Sequence, residues 1–426
     1  MTCVAPGQQL LIVTPSYFPN MDAEAIVNTK LGRALEESGF SLDIVSKRAV
    51  RPEARDQQGR LVLYEYRFPR SRKLLKSLTG PYWAGTLRHF RELQWARAVA
   101  SKAVRRIAQK DYFALLSFGG YCHMAALRVA KSVKLPWLAV WNDPFPSLIA
   151  PPPYGSGLDT PLPFYLRTVF ADVGRLASCH IFPSERLRRY MLNLLPPEAA
   201  GNSYVIPHIG RIGQAQPRAA HRNGPLITHV GGLLPHRRPD VFFKGLAMYA
   251  RKANVPPLAV RFVGSGVDRI AEIAKAHGQD HRCEFIAEQP YHVALELLQD
   301  SDILLAIEAH NTESIFLPSK LADYAVSGRP ILAITPRQSE IRDLLSRNGG
   351  GVCAATDSAE EVCEALSTLC LNWKEGTLTA RYASPTLSCL FSQQQVVERY
   401  LQMVGWQSTT VGGPAPMTSS RRTRSE

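Results

Sequence analysis

The chain has 426 residues, 45% of them hydrophobic, with 50 Lys and Arg against 36 Asp and Glu and a net charge of +14. That length and apolar content suffice for two cores of about 200 residues each and exclude a disordered chain. No run approaches the roughly 20 uncharged apolar residues that a bilayer crossing needs, which excludes a transmembrane helix.

The first residues run straight into Leu10-Leu11-Ile12-Val13. With no basic region or cleavage site ahead of them, no signal peptide is expected. The eight cysteines are scattered, with no Cys-x-x-Cys pair. They read as ordinary thiols of a reducing cytoplasm, with neither disulfides nor a metal site expected.

Leu10 to Thr14 is an apolar strand, followed by the turn-rich loop Pro15 to Met21. Ala25 to Ser38 reads as a helix closed by Gly39, with Asp22 placed to cap it, and Ser41 to Ser46 is the next strand. Further strands are expected at Leu61–Tyr66, Phe113–Phe118, Trp137–Trp141, His180–Pro183 and Tyr204–Pro207, with helices between most of them. Alternation of this kind predicts a parallel sheet covered on both faces. Seven prolines in Pro144 to Pro163 mark a long irregular loop, the kind that often carries function.

Two features of this half could serve chemistry. His123 stands near the start of a helix after the strand Phe113–Phe118, as either a packed or a catalytic residue. Trp141-Asn142-Asp143-Pro144 follows a buried strand; Asp143 either caps the turn before Pro144 or takes part in the reaction. The segment from Arg67 to Lys110 holds twelve Lys and Arg against the single acid Glu92. Leu87, Phe90, Leu93, Ala100, Val104 and Ile107 share one helical face there, with Arg88, Arg91, Lys102, Arg105 and Arg106 around the rest and Trp83 and Trp95 nearby. It reads either as a solvated helix or as a patch for an anionic membrane surface, about 1 kcal/mol per basic residue.

Residues 211–224 form a polar link between an N-terminal unit, 1–210, and a C-terminal one, 225–390. The second alternation begins at the strand Leu226–Val230. It continues through helix Asp240–Lys252, strand Ala259–Val263, helix Val267–His277, strand Glu284–Ile286 and helix His292–Gln299. Strand Ile303 to Ile307 leads to Leu317-Pro318-Ser319-Lys320-Leu321-Ala322-Asp323-Tyr324, with Ser319 as a helix N-cap and Lys320 in its first turn. Gly328 ends that helix and Pro330 to Ile334 is a strand. Helix Glu340–Arg347, strand Gly351–Ala354 and helix Ala359–Leu369 follow. An amphipathic helix, 391–406, is expected to cross back to the first unit, and 407–426 reads as a disordered basic tail.

Exposed amides at the start of the helix at Ser319 make an anion site, and Lys320 adds positive charge. Asp323, one turn on, can accept hydrogen bonds from sugar hydroxyls. Such a set at the C-terminal edge of a parallel sheet suits a nucleoside diphosphate and its ribose. Earlier in the half, Val230-Gly231-Gly232-Leu233-Leu234-Pro235-His236-Arg237-Arg238 follows a strand. The glycines admit a ligand to the backbone, and arginine can fork onto phosphate.

The stretch from Leu317 to Pro330 resembles the donor motif of family 4 retaining glycosyltransferases, in the branch with Pro-Ser-Lys-Leu and Gly-(Lys/Arg)-Pro. The resemblance implies an α/β fold of two Rossmann-like parallel-sheet domains facing each other across a cleft, the GT-B fold. It implies a nucleotide-sugar donor, retention of configuration and Asp323 on the ribose. Glu313 stands nearest the first Glu of the family's Glu-x7-Glu, as Glu-x9-Asp. In the family's Gly-Arg-Leu-x-x-x-Lys, Gly232 stands for the Arg and Arg237 for the Lys, with Arg238 beside it. Asn142 stands where the family often has a His close to the transferred sugar, followed by Asp143.

The function expected on these grounds is a nucleotide-sugar glycosyltransferase acting on a carbohydrate or lipid-linked acceptor. Its setting would be the synthesis of envelope or exopolysaccharide glycoconjugates, at the inner face of the cytoplasmic membrane. No Asp-x-Asp is assigned to a cation, and the diphosphate is expected to be held without a metal or other cofactor. The alternatives are a non-catalytic member of the same family and a sugar-nucleotide epimerase on the same fold. With no nucleic-acid motif and the charge concentrated in one patch, nucleic acid is not an expected partner.

Overall fold

The computed structural model describes residues 8–18, 20–46, 81–214 and 223–410, with side chains left out at 81–91, 106 and 404–410. The expected strand Leu61–Tyr66, residues 67–80 of the basic stretch and the tail beyond 410 lie outside the described residues.

The first half runs β1 (Gln9–Thr14), α1 (Ala23–Glu37), β2 (Ser41–Ser46), α2 (Pro81–Ile107), β3 (Tyr112–Phe118), α3 (Gly120–Ala130), β4 (Trp137–Val140), α4 (Phe164–Leu176), β5 (Cys179–Phe182), α5 (Glu185–Leu192) and β6 (Ser203–Val205). Its six strands form a parallel sheet in the order β2-β1-β3-β4-β5-β6. The strands read as continuous apolar runs because both faces are covered. Leu11 and Val13 of β1 face α2, α3 and α4, where Trp95, Ala125 and Phe170 pack. Leu10 and Ile12 face the opposite layer with Leu31 and Leu35 of α1.

The second half begins with β7 (Leu226–Val230), α6 (Asp240–Ala250), β8 (Ala259–Val263), α7 (Val267–Ala276), β9 (Cys283–Ile286), α8 (Tyr291–Gln299), β10 (Ile303–Ile307) and β11 (Glu313–Ser314). It continues with α9 (Ser319–Ser327), β12 (Ile331–Thr335), β13 (Gln338–Ser339), α10 (Glu340–Asn348), β14 (Gly351–Ala355), α11 (Ala359–Lys374), α12 (Leu378–Tyr382), α13 (Pro385–Leu390) and α14 (Gln393–Thr410). Its parallel sheet has the order β14-β12-β10-β7-β8-β9, and β11 pairs separately with β13. The chain is therefore α/β with two six-stranded parallel sheets.

Strand order reverses between β1 and β3 in one sheet and between β7 and β10 in the other. Loops leaving opposite sides of such a reversal open a crevice at the strands' C-terminal ends. The β7–β10 pairing covers only Ile303↔Ile227 and Leu304↔Thr228, so the two strands part company before they end.

The halves are joined twice. Residues 206–210 carry the chain out of the first sheet, and the Gly210 N–H donates to the Phe391 carbonyl at 2.8 Å. Gly210 lies so close to α9 that a Cβ there would meet the Ala322 carbonyl at 2.2 Å. Beyond Phe391, α14 returns to the first half and buries Val396, Val397 and Tyr400 among Leu10, Ile12 and Leu31. It continues to Thr410, past the expected end of the helix. Among the described residues, no helix is long and apolar enough to cross a membrane.

Candidate functional site

The C-terminal ends of the two sheets face one another across a cleft of about 840 Å³. One wall comes from the first half: residues 21–24 at the start of α1, and Asn142 and Asp143 after β4. The other comes from Gly231 to Arg237 after β7, Gly264 to Gly266 after β8, and Leu317 to Lys320 at the start of α9. A smaller recess of about 370 Å³ adjoins it in the first half, and Glu24, Asn142 and Asp143 line both.

Pro318, not Ser319, is the N-cap of α9; no side chain caps the helix, and Ser319 is its first helical residue. The Ser319 and Lys320 amides are therefore left to a ligand, while that of Leu321 donates to the Pro318 carbonyl at 2.9 Å. Lys320 Nζ donates to His229 Nε2 at 2.9 Å and reaches over Gly231, where a Cβ would stand 3.4 Å from it. Gly231 has φ +92, a conformation that side chains resist, so glycine suits both the turn and the close approach. Burial, with Arg237 nearby, holds the Lys320 ammonium well below the usual lysine range. Arg237 is fixed by its Nε bond to Tyr154 Oη at 2.8 Å, with the ring of Tyr154 alongside the guanidinium. Tyr154 belongs to the proline-rich loop of the first half and also packs edge-on against Phe316.

Asp323 lines the cleft and is nearly buried. Its Oδ1 accepts from Lys30 Nζ of α1 at 3.0 Å, from Tyr291 Oη at 3.0 Å and from the Arg211 N–H at 2.9 Å. All three reach the same oxygen, which leaves Oδ2 for a hydroxyl donor. Lys30 sits 5.7 Å from the centre of the Tyr291 ring, and together with burial it pushes His208 on the cleft floor down to about 3.

On the facing wall, Asn142 Nδ2 donates to Asn28 Oδ1 at 3.3 Å, and Asn28 is held in turn by Thr14 Oγ1 at 2.8 Å. No described residue hydrogen-bonds the Asp143 carboxylate, which is exposed on the cleft. Surrounding protein pushes it up to about 6, against the opposing pull of Arg237. Water entering through the cleft mouth screens that rise, so it is felt in full when a ligand fills the cleft.

Three expected site residues lie elsewhere. His123 is buried on the inner side of α3, with Nδ1 2.7 Å from Ser117 Oγ and its ring 4.2 Å from that of Trp141. Burial holds it well below the usual histidine range, as a neutral core residue. Arg238 points into solvent and is bound to Asp240 at 2.9 Å. Glu313 is bound across the halves to Arg186 at 2.5 Å, and Ile315, eight positions before Asp323, fills the place of the motif's first Glu with an apolar side chain. Asp300-Ser301-Asp302 is an Asp-x-Asp by sequence, but it precedes β10 at the edge away from the cleft. Asp300 pairs with Arg261 at 3.0 Å, and Asp302 accepts from the Leu226 N–H at 2.9 Å.

No family model matches the chain, and no curated protein matches it. Among solved structures, a glycosyltransferase from Rickettsia africae ESF-5 superposes with a TM-score of 0.68 at 11% identity, over 95% of this chain and 99% of its own. HepE of Anabaena, in complex with UDP and glucose, gives 0.66 at 13% identity, over 94% and 100%. The fold is GT-B. A UDP-N-acetylglucosamine 2-epimerase has the same architecture at a TM-score of 0.55 and 12% identity, over 94% and 98%.

Within this GT-B frame, the motifs read from sequence account for Asn142, Asp143, Gly231, Gly232, Arg237, Ser319, Lys320 and Asp323, which all line the cleft. Lys30, Tyr154, His208, His229, Arg269 and Tyr291 were missed. Their only sequence signal is polarity inside otherwise apolar or loop segments. A Cβ at Gly232 would meet Ser265 Oγ at 2.4 Å, so a larger residue there would have to turn the serine side chain aside. Arg269, whose Nη2 donates to the Leu233 carbonyl at 2.6 Å, lines the cleft beside it.

Proposed function

We propose that this protein is a glycosyltransferase that moves a sugar from a nucleotide-sugar donor to a carbohydrate or lipid-linked acceptor, with retention of configuration. The observation that carries this reading is one cleft uniting an anion cradle with a carboxylate on the opposite wall. The cradle comprises the uncapped start of α9, Lys320 and Arg237; the carboxylate is Asp143. The donor diphosphate lies against the cradle, and the ribose donates to Asp323 Oδ2. In the reaction the bond from the anomeric carbon to the diphosphate oxygen breaks and the bond to the acceptor oxygen forms. The acceptor proton passes to the departing diphosphate. Lys320, Arg237 and the α9 amides stabilise the negative charge that grows there, a matched cationic pair that does this without a metal. Ionised Asp143, with Asn142 beside it, orients the transferred sugar and stabilises positive charge at its anomeric carbon.

The lipid-linked acceptor and a setting in envelope or exopolysaccharide synthesis rest on the basic stretch 67–110. Replacing Lys320 with Ala is expected to weaken nucleoside diphosphate binding by about 1.5–3 kcal/mol, the worth of hydrogen bonds to a charged group. Unchanged affinity in a folded variant overturns the donor assignment. Turnover of a nucleotide-sugar panel with membrane extract identifies donor and acceptor together. An epimerase on this fold would instead interconvert a nucleotide sugar with no acceptor present.

A further inference from the structure

His229 is next to last in a buried strand but is neither a plain core residue nor part of the cleft surface. It sits at β7, where that strand leaves β10, and is 1% exposed. Its ring lies beside Phe262, with centroids 5.9 Å apart. Nδ1 is 2.8 Å from the Leu305 carbonyl of β10, and Nε2 is 2.9 Å from Lys320 Nζ.

These two partners, with the Gly231 backbone also facing the ring, set the ring's chemistry. A carbonyl oxygen only accepts, so Nδ1 must carry a proton and donate to Leu305. Burial and the neighbouring Lys320 hold the imidazole well below the usual histidine range, so it is neutral. Nε2 therefore has a free lone pair aimed out of the strand, and the Lys320 ammonium donates to it. A lysine stem has four rotatable bonds and ordinarily spreads its charge over a wide volume. Here one donor is anchored, which places the ammonium over Gly231 and leaves its other two donors turned to the cleft.

We propose that His229 is a positioning residue: it holds the Lys320 ammonium at the place where the donor's diphosphate binds. The proposal rests on the donor-site reading above and goes beyond it. It assigns the ordering of a binding-site cation to a residue that no ligand reaches. Orienting a charged group in advance removes an entropy cost that binding would otherwise carry.

Three variants separate the roles. His229→Asn keeps a donor at the level of Nδ1 for the Leu305 carbonyl but is too short for Lys320. His229→Gln places its amide oxygen at the level of Nε2 and restores the acceptor. The third variant is Lys320→Ala. Affinity is measured by calorimetry for UDP, GDP and ADP, and for the nucleoside of whichever the wild type binds best.

In His229→Asn, diphosphate affinity is expected to fall about tenfold while nucleoside affinity stays unchanged, because only the phosphates meet Lys320. His229→Gln should return to within about threefold of wild type. Combining His229→Asn with Lys320→Ala should weaken binding no further than Lys320→Ala alone, since both remove one interaction. If His229→Asn binds the diphosphate like wild type while Lys320→Ala does not, the positioning role is overturned and the donor site stands. Equal loss for diphosphate and nucleoside makes His229 a residue of the fold alone and also overturns it. If Lys320→Ala itself binds normally, the donor-site reading falls, and this proposal with it.

Discussion

Asp143 shows how a single side chain acquires its chemistry from its place. It follows the buried strand β4, is preceded by Asn142 and faces Arg237 across the cleft. Protein around it disfavours the charged form and raises it to about 6, while Arg237 works the other way. With a ligand filling the cleft, the native state thus takes up a proton near pH 6 that the unfolded chain takes up only near 4. In the liganded protein this group therefore favours the fold as pH falls through that window, whereas the ionised form is the one the proposed reaction uses. Asp143→Asn is expected to lower turnover by about 10²–10³-fold, the range for removal of one preorganised electrostatic group. Nucleoside diphosphate affinity should hardly change. The wild-type rate should fall as the solution is acidified through about pH 6, and the variant should lose that limb. A variant with the same acid limb would place the titration on another group.

At the scale of elements, the site exists because β7 and β10 diverge, and the gap between them is sealed by polar groups. Tyr324 of α9 accepts from the Val230 N–H at 3.0 Å and donates to the Leu305 carbonyl at 3.3 Å. The same carbonyl accepts from His229. Tyr324→Phe would leave the Val230 amide unpaired in a dry setting and is expected to lower unfolding free energy by about 1–3 kcal/mol. Urea denaturation measures this, and an unshifted midpoint would show that the hydroxyl does not seal the gap. The strands themselves were legible, because runs such as Ile303 to Ile307, buried on both faces, leave unbroken apolar stretches. The two ends of α9 were legible from Pro318 and Gly328, apart from the N-cap itself, where proline outranked serine. Tyr324 was visible only as part of a motif, since nothing local says that its hydroxyl bridges two strands. His123 was left open between packing and catalysis for a related reason. A polar residue after a strand looks available until Trp137 and Trp141 are seen to enclose it.

Over the whole molecule, contacts between the two halves hold the cleft together. Lys30 binds Asp323 from 293 positions away, Arg186 binds Glu313 and Asp343, and Tyr154 binds Arg237. Pairs so distant in sequence leave no local pattern, which is why the fold was far more legible than the wiring of its site. The basic stretch belongs to this scale as well. Between Glu92 and Ile107, Trp95, Ala96, Val99 and Ala103 are spent on the core, while Arg97, Lys102 and Arg105 face solvent. Trp95 is therefore unavailable to a membrane face, and among the described side chains of α2 the attraction left to a lipid surface is electrostatic. The protein is expected to sediment with anionic but not neutral liposomes, and to come off as salt rises and the screening length shrinks below about 8 Å. Equal behaviour toward both kinds of vesicle would make α2 an ordinary solvated helix.

The hydrogen bond from Gly210 to Phe391 marks where the chain enters and leaves the second half. The second half is thus an insert whose two ends meet, set into a first half built from segments on both sides of it. A ribosome delivers the pieces in that order. The inner lobe has all of its residues by Phe391, whereas the outer lobe still lacks Val396, Val397 and Tyr400 against its sheet. The first sheet begun is therefore covered in full only when α14, made after the whole inner lobe, closes over it.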